Sequence, residues 1–299
     1  MVYRLYFNKT DITVSEEEMN RLPAILKEKA KEDAERCGEL LKTEDYAGIF
    51  AVCRKRKMAD PAVMFLLGKM YYAGRGTAQD FCRAEECFKH AAAAGDAEAM
   101  CCMGILYELG NGVKEDIKKA SGWYLKAAEA GSPTAMLNIA YLYNEGRGIE
   151  KDHEKAYAWL LKSSEAGETT AMYCVGLMLE NGFRGIRDSI GADKWYLKSA
   201  EAGNPIAMHS IGQCYRIGRN TEQDYSEAMK WYRKASDLGF APSMLELAHM
   251  YRDGLGSAQD DTKAAEWYRR AAQGGSMEAM TELVKLINKG INLDFMRES

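Results

Sequence analysis

Apolar and polar residues recur along this chain at a fixed interval of 36 residues. The five tryptophans show the interval directly, because they lie at Trp123, Trp159, Trp195, Trp231 and Trp267. A period of roughly 20 to 50 residues indicates an array of stacked structural repeats.

Other positions keep the same interval, so whole segments repeat rather than single residues. A small residue followed by methionine opens most copies, and a glycine or alanine lies five residues after the small residue. Two columns are unbroken: the glycines Gly74, Gly110, Gly146, Gly182, Gly218, Gly254 and Gly290, and the aspartates Asp80, Asp116, Asp152, Asp188, Asp224 and Asp260. Six full copies run from Val63 to Glu278, and the first half of a seventh follows.

Each copy is predicted to form two helices. Asp60, Asp96 or Ser132 can cap a first helix, because the side-chain oxygen accepts a backbone N–H that has no partner in the helix. The first helix ends at the Gly74 column, since glycine enters the left-handed conformation without steric cost. The Asp80 column then caps the second helix, which carries the tryptophan and ends at another glycine.

Two segments resemble a known family. The sequence Gly-Arg-Gly-Ile-Glu-Lys-Asp at 146–152 leads to Trp159, and Gly-Asn-Gly-Val-Lys-Glu-Asp at 110–116 leads to Trp123 and Tyr124. This pattern strongly resembles the Sel1-like repeat, a relative of the tetratricopeptide repeat, over residues 61 to about 290. The resemblance implies adaptor or scaffold work through protein–protein contacts, without catalysis in most members.

The predicted fold is all-α, a right-handed α/α superhelical solenoid of 36-residue helix–turn–helix repeats with a concave inner surface. One helix pair cannot bury its apolar face alone, so neighbouring pairs stack. We expect the indole of the Trp123 column to fill the space that the small alanines at Ala120 and Ala127 leave open. Residues 61–299 are assigned to the solenoid, with a terminal half-repeat and tail.

Residues 1–60 do not follow the repeat and are assigned to an N-terminal tail and a helical capping pair. One helix is predicted from Asn20 to Lys42 and another from Thr43 to Lys57. Residues 1–14 are interpreted either as a tail or as a short extended stretch through Tyr3, Leu5 and Phe7.

Composition and charge indicate which partners and which cellular location to expect. A net charge of −4 and a pI near 5.8 give no electrostatic reason to expect nucleic acid. No apolar run approaches the roughly 18 residues of a membrane span, and the N-terminus lacks the basic and apolar regions of a secretory signal. We therefore expect a cytoplasmic, monomeric protein that does not bind membranes.

The Gly74-Arg75-Gly76 loop and its counterparts could be mistaken for nucleotide-binding loops. They lie between predicted helices, with no preceding strand and no Lys-Ser or Lys-Thr after them, and a phosphate cradle needs that context. Helix termination is the favoured interpretation. The basic run at residues 54–57 could act in nuclear import, but we favour the end of a helix, where positive charge suits the helix dipole.

The cysteines and histidines fall at scattered positions. A cysteine-rich branch of the Sel1 family has a regular disulfide, and some of its members carry a β-lactamase label; that regular pair is absent here. Reduced thiols are the favoured interpretation. The histidines are too dispersed for zinc, and no metal or cofactor is predicted. The cysteines are Cys37, Cys53, Cys82, Cys87, Cys101, Cys102, Cys174 and Cys214, and the histidines are His90, His153, His209 and His249.

One face of the first helices differs from copy to copy. It lies opposite the constant columns, at the i, i+4, i+7 spacing of one helical face, and by resemblance to tetratricopeptide-like solenoids it turns inward. The early copies are aromatic and aliphatic there, and the later copies are polar and basic. The predicted partner-binding residues are Phe65, Lys69, Tyr72, Ile105, Glu108, Leu137, Tyr141, Asn144, Tyr173, Leu177, His209, Gln213, Arg216, His249 and Arg252.

The sequence thus predicts a non-catalytic scaffold that binds a peptide or a partner helix in its concave groove. Apolar residues clustered on one face favour such a site, and the partner is expected to carry an apolar segment followed by an acidic one. One alternative is that superhelical curvature buries these side chains against their neighbours. Another is a β-lactam or peptidoglycan-related hydrolase, which would need an export signal and the regular disulfide pattern.

Overall fold

A computed structural model describes residues 12–27, 31–55 and 60–290 of the chain. Within these ranges all regular structure is helical, with a short 3-10 turn at Phe183–Gly185. The α-helices are α1 Glu16–Lys27, α2 Lys31–Lys42, α3 Tyr46–Lys55, α4 Pro61–Ala73, α5 Phe81–Ala93, α6 Ala97–Leu109, α7 Ile117–Glu129, α8 Pro133–Glu145, α9 His153–Glu165, α10 Thr169–Glu180, α11 Ser189–Glu201, α12 Pro205–Ile217, α13 Tyr225–Asp237, α14 Ala241–Asp253, α15 Asp261–Gln273 and α16 Met277–Asn288.

The chain forms two compact units, residues 1–168 and residues 169–299. In each unit the two helices of a repeat pack together, and the second helix then packs on the first helix of the next repeat. Contacts between consecutive helices are the mark of an α-solenoid. The predicted all-α solenoid of 36-residue repeats is confirmed.

Capping side chains and glycines set the ends of the helices. The Asp96 carboxylate accepts a 2.8 Å hydrogen bond from the Ala99 N–H at the start of α6. Helix α6 ends at Gly110, whose φ of 71° is left-handed, and Asp116 caps α7 in turn. The predicted Gly-x-Gly loops are therefore helix terminators followed by a capped second helix.

In the second repeat the fully buried aromatic residue is not the tryptophan, so our expectation for the indole was wrong there, whereas Trp267 of the sixth repeat is buried as expected. Tyr124 is fully buried, whereas Trp123 beside it is only half-buried. A Cβ at Gly104 would lie 2.5 Å from the Tyr124 ring, so the glycine makes room for that ring. The Lys126 ammonium lies 5.1 Å from the centre of the Trp123 ring, which places the indole at the surface under a cation.

The N-terminal helices differ from the prediction: in place of one helix from Asn20 to Lys42 the structure has two, α1 and α2, which pack together. Helix α1 starts at Glu16 rather than Asn20, because Ser15 and Glu18 form a capping box: each side chain accepts the other residue's backbone N–H, at 3.1 and 2.9 Å. Helix α3 begins at Tyr46 rather than Thr43 and ends at Lys55. The stretch through Tyr3, Leu5 and Phe7 lies outside the described residues, as do residues 56–59.

Candidate partner-binding surface

The predicted partner-binding residues lie on the first helices of six repeats, and we call these fifteen residues the first-helix face. Five of them are buried, with exposures of 0 to 7%: Leu137, Ile105, Tyr141, Glu108 and Tyr173. In the first unit α6 packs on α8, so one first helix partly covers the next. The accessible members are Phe65, Lys69, Tyr72 and Asn144 in the first unit and Leu177, His209, Gln213, Arg216, His249 and Arg252 in the second.

A cavity of about 390 Å³ opens on the first-helix face of the first unit. Phe65, Lys69 and Ile105, which the sequence places on one face, meet in its wall. The opposite wall comes from the chain before α1, a contribution that the repeat pattern does not reveal. The lining residues are Ile12, Thr13, Glu18, Phe65, Lys69, Glu98, Cys101, Cys102, Ile105 and Thr134.

An ion pair joins the two walls, and a main-chain contact outside the lining also holds the chain before α1 to the first repeat. The Lys69 ammonium lies 2.6 Å from both carboxylate oxygens of Glu18. Burial alone would raise the pKa of Glu18, but the hydrogen bonds from Lys69 and from the Ser15 backbone hold it below the usual value. The Arg75 guanidinium donates a 2.7 Å hydrogen bond to the Val14 carbonyl. The first repeat thus holds one carboxylate of α1 and one main-chain carbonyl of the chain before it.

The remaining polar groups of this cavity are suited to binding more than to nucleophilic chemistry. Burial raises the pKa of Glu98 against a hydrogen bond with Ser132 that lowers it. Burial also raises the pKa of the Cys101 and Cys102 thiols well above the usual value. Because the thiolate is the reactive form, these thiols are weak nucleophiles.

In the first unit a buried carboxylate on the face joins two repeats. The Tyr124 hydroxyl donates a 2.8 Å hydrogen bond to Glu108, and the Arg147 guanidinium of the next repeat lies 3.3 Å from the same carboxylate. Arg147 also reaches the Tyr141 hydroxyl at 3.4 Å. Glu108 is therefore a structural residue, and Arg147, which the sequence did not single out, carries the accessible charge at this position.

The second unit repeats this arrangement with one more acid. The Tyr196 hydroxyl donates a 2.5 Å hydrogen bond to Glu180, and Arg219 of the next repeat forms ion pairs with Glu180 and Asp193. A cavity of about 170 Å³ opens beside this cluster. Its lining includes the face residues Tyr173 and Gln213, together with Glu180, Tyr196, Ser210, Cys214, Ile217 and Arg219.

The basic residues of the later repeats are paired with acids that the sequence analysis did not consider. The Arg216 guanidinium lies 3.6 Å from Glu246, and the Arg252 guanidinium lies 3.2 Å from Glu282. Each acid is on the next first helix, 30 residues further along. That fixed spacing was present in the sequence and could have identified both pairs. This part of the face is charge-paired rather than simply basic.

His209 is a half-buried base of the face that packs against an aromatic ring. Its ring lies 5.3 Å from the Tyr232 ring, and its Nδ1 is 3.0 Å from the Ser243 hydroxyl. Burial, with a smaller contribution from the Arg216 charge, lowers the pKa of His209 to about 4. The imidazole is therefore neutral at pH 7 and acts in packing and hydrogen bonding.

Two further properties hold for the described ranges 12–27, 31–55 and 60–290. No three His, Cys, Asp or Glu side chains meet there in a group that could hold a metal ion. None of the helices in these ranges combines the length and the apolar character of a membrane span.

Known proteins share this repeat and this architecture. A family model described as the Sel1 repeat matches residues 61–96, 97–132, 133–168, 169–204, 205–240 and 241–276. A Sel1 repeat protein from Oxalobacter formigenes is 30% identical with a TM-score of 0.73, covering 81% of this chain and 71% of that chain. The antigen c5321 of uropathogenic Escherichia coli, which displays an SLR fold, is 30% identical with a TM-score of 0.70 over 81% of this chain. The match covers 52% of that antigen, about half its length. No curated protein matches the chain.

Proposed function

The chain belongs to the Sel1 repeat family, and from this premise we propose that it is a non-catalytic scaffold whose first-helix face binds a protein or peptide partner. Sel1 repeat proteins are generally protein-interaction scaffolds. The observation that carries the proposal is that each first helix has packing positions that stay constant and face positions that vary. Packing columns such as the one at Gly104 stay small in every full repeat, while accessible face positions such as Lys69 and Gln213 change from copy to copy.

The chemistry of the accessible face indicates the kind of partner. Phe65 and Tyr72 offer partly exposed aromatic rings in the first unit, and Arg216 and Arg252 offer guanidinium groups in the second. Partly exposed ion pairs contribute little stability, so a partner carboxylate can replace an internal one on these arginines at small cost. We therefore propose a partner with an apolar segment that suits the face of the first unit and an acidic segment that suits the face of the second.

Affinity capture from native lysate tests the proposal with charge-reversal variants of the full chain. The face variant carries Arg216→Glu and Arg252→Glu. The control carries Lys89→Glu and Lys118→Glu, two exposed lysines on second helices, away from the face. Because both variants change the net charge by the same amount, a general charge effect would alter both in the same way.

We expect the control to retain a partner that the wild type captures and the face variant to lose it, while both keep the helical circular-dichroism signal of the wild type. Equal capture by the face variant would contradict the proposal. The cytoplasmic location and the monomeric state remain predictions. Neither the fold nor the comparisons support the hydrolase alternative, and we do not propose it.

A further inference from the structure

The N-terminal segment Ile12–Glu18 lies on the first-helix face of the first unit. Ile12 and Val14 are only 3% and 7% exposed, although they precede the first helix. The segment shares its cavity with Lys69 and Ile105, which belong to two successive repeats. It therefore lies along the face, whereas a simple cap would cover only the end of the array.

The contacts of the segment are those of a bound peptide. Arg75 donates a 2.7 Å hydrogen bond to the Val14 carbonyl, a main-chain group that any peptide provides. Lys69 holds the Glu18 carboxylate at 2.6 Å, with only 12% of the lysine side chain exposed. Residues 12–15 form neither helix nor strand, and their two alternate apolar side chains, Ile12 and Val14, are buried, while Glu18 lies in the first turn of α1.

Arg75 occupies a position that binds acceptors elsewhere in the array. The loop arginines at the same place in two other repeats, Arg147 and Arg219, each form an ion pair with a carboxylate of the preceding repeat. The first repeat has no preceding Sel1 repeat, and there the Val14 carbonyl is the acceptor. Arg75 thus binds a main-chain carbonyl of the segment, where the other two loop arginines bind side-chain carboxylates.

We propose that Ile12–Glu18 is an internal ligand of the first-helix face, and that an external protein segment of the same chemistry, an apolar-x-apolar pair followed by glutamates or aspartates, binds the same contacts by displacing it. This inference rests on the proposed function and specifies its partner. The sequence from 12 to 18 reads Ile-Thr-Val-Ser-Glu-Glu-Glu, with the apolar pair first and the acids after it. The face accordingly recognises an apolar pair followed by acidic residues, and the chain's own N-terminal segment has that sequence.

Tethering makes the internal segment a strong competitor. A covalently linked ligand acts at an effective concentration of roughly millimolar, so a free peptide of the same sequence binds the wild type only weakly. Releasing the segment raises the fraction of protein with a free site, and the apparent affinity rises by the same factor.

The test uses a fluorescein-labelled peptide of residues 10–20 and fluorescence anisotropy with the full chain. In Val14→Asp a charge replaces a buried apolar side chain and releases the segment; in Glu18→Lys repulsion from Lys69 does the same without touching the apolar pair. A third protein adds Lys69→Glu to Val14→Asp, and its control adds Lys118→Glu instead. Circular dichroism confirms that each variant keeps the helical signal of the repeats.

We expect Val14→Asp and Glu18→Lys to bind the peptide about 10- to 100-fold more tightly than the wild type. Adding Lys69→Glu should remove that gain, and adding Lys118→Glu should leave it. A peptide in which the three glutamates are replaced by lysine should not bind. Equal affinity of the wild type and both release variants, or a gain that survives Lys69→Glu, would overturn the inference.

The two proposals can fail separately. Peptide binding needs no external partner, so the inference can hold even if lysate capture finds nothing. If Arg216→Glu with Arg252→Glu abolishes capture while Val14→Asp leaves both peptide binding and capture at the wild-type level, the scaffold proposal stands and the internal ligand is ruled out.

Discussion

The Tyr124 hydroxyl donates a 2.8 Å hydrogen bond to the Glu108 carboxylate, and both side chains are buried. The same pairing recurs two repeats later between Tyr196 and Glu180. A buried carboxylate is costly unless it is paired and hydrogen-bonded. The tyrosine therefore has two roles, as the aromatic core of its repeat and as a donor to an acid that would otherwise be poorly satisfied.

Removing that hydroxyl should destabilise the first unit. We expect Tyr124→Phe to lower the free energy of unfolding by about 1–3 kcal/mol, because the Glu108 carboxylate loses a donor where water cannot replace it. Urea titration followed by circular dichroism measures the change. The control is Tyr107→Phe, on a half-buried ring under the Lys119 ammonium, where we expect less than about 0.5 kcal/mol. Equal effects of the two substitutions would contradict this role of the hydroxyl.

Two glycines in adjacent helices should respond to alanine in opposite directions. A Cβ at Gly104 would lie 2.5 Å from the Tyr124 ring, whereas a Cβ at Gly122 meets nothing within 4 Å. Overpacking by Gly104→Ala should cost about 1–3 kcal/mol. Gly122→Ala should stabilise by about 0.5–1 kcal/mol, because alanine has the better helix propensity. Thermal unfolding of both variants measures the contrast, and stabilisation by Gly104→Ala would refute the packing argument.

His209 should make the second unit sensitive to mild acid. Burial lowers its pKa to about 4 from the ordinary 6.5, so between these pH values the unfolded chain binds a proton that the folded chain does not. The contribution of this group to stability is therefore complete above pH 6.5 and falls as the pH drops towards 4, by an amount on the order of 2 kcal/mol. His209→Gln should reduce the stability lost between pH 7 and pH 4.5.

The control for His209→Gln is the same substitution at an exposed histidine. His153 is exposed, and His153→Gln should leave the acid sensitivity as it is in the wild type. Urea midpoints at the two pH values provide the measurement. If His209→Gln and His153→Gln behave alike, the burial of His209 is not the cause of the acid sensitivity.

Thiol labelling should distinguish one cysteine from the other seven. Cys82 is exposed, while the remaining cysteines are buried. Burial also raises the pKa of Cys53 to about 12, so little of its reactive thiolate forms at pH 8. We expect Ellman's reagent to modify one thiol rapidly in the native protein and all eight in denaturant. Cys82→Ser should abolish the rapid phase; its persistence would contradict this arrangement.

The architecture could be predicted because identical local signals recur in every repeat. The Gly74 column, the Asp80 column and the 36-residue period each fix one local feature, a helix end, a cap and a repeat length. A repeat position that always holds a small residue, such as the Gly104 position, also predicts close packing. The period does not say which of two adjacent aromatics turns inward, so Trp123 was chosen over Tyr124.

The candidate surface was harder to predict because it depends on contacts between repeats. A helical wheel identifies one face of a single helix, but it cannot show that Leu137 and Ile105 on that face are buried. Pairs such as Arg216 with Glu246 are 30 residues apart, so aligning the repeats at their 36-residue period does not reveal them. The N-terminal segment lies outside the repeat, so no column could place it on Lys69.

The ion pair between Glu108 and Arg147 joins residues 39 positions apart, slightly more than one repeat. Removing residues 133–168 would preserve the helical rhythm but would bring Phe183 to the place of Arg147 in the sequence register, opposite Glu108. Unequal recombination, the usual genetic route by which tandem arrays gain or lose copies, would therefore be penalised here. Individual copies are not interchangeable, since charge pairs specific to their residues join several successive repeats.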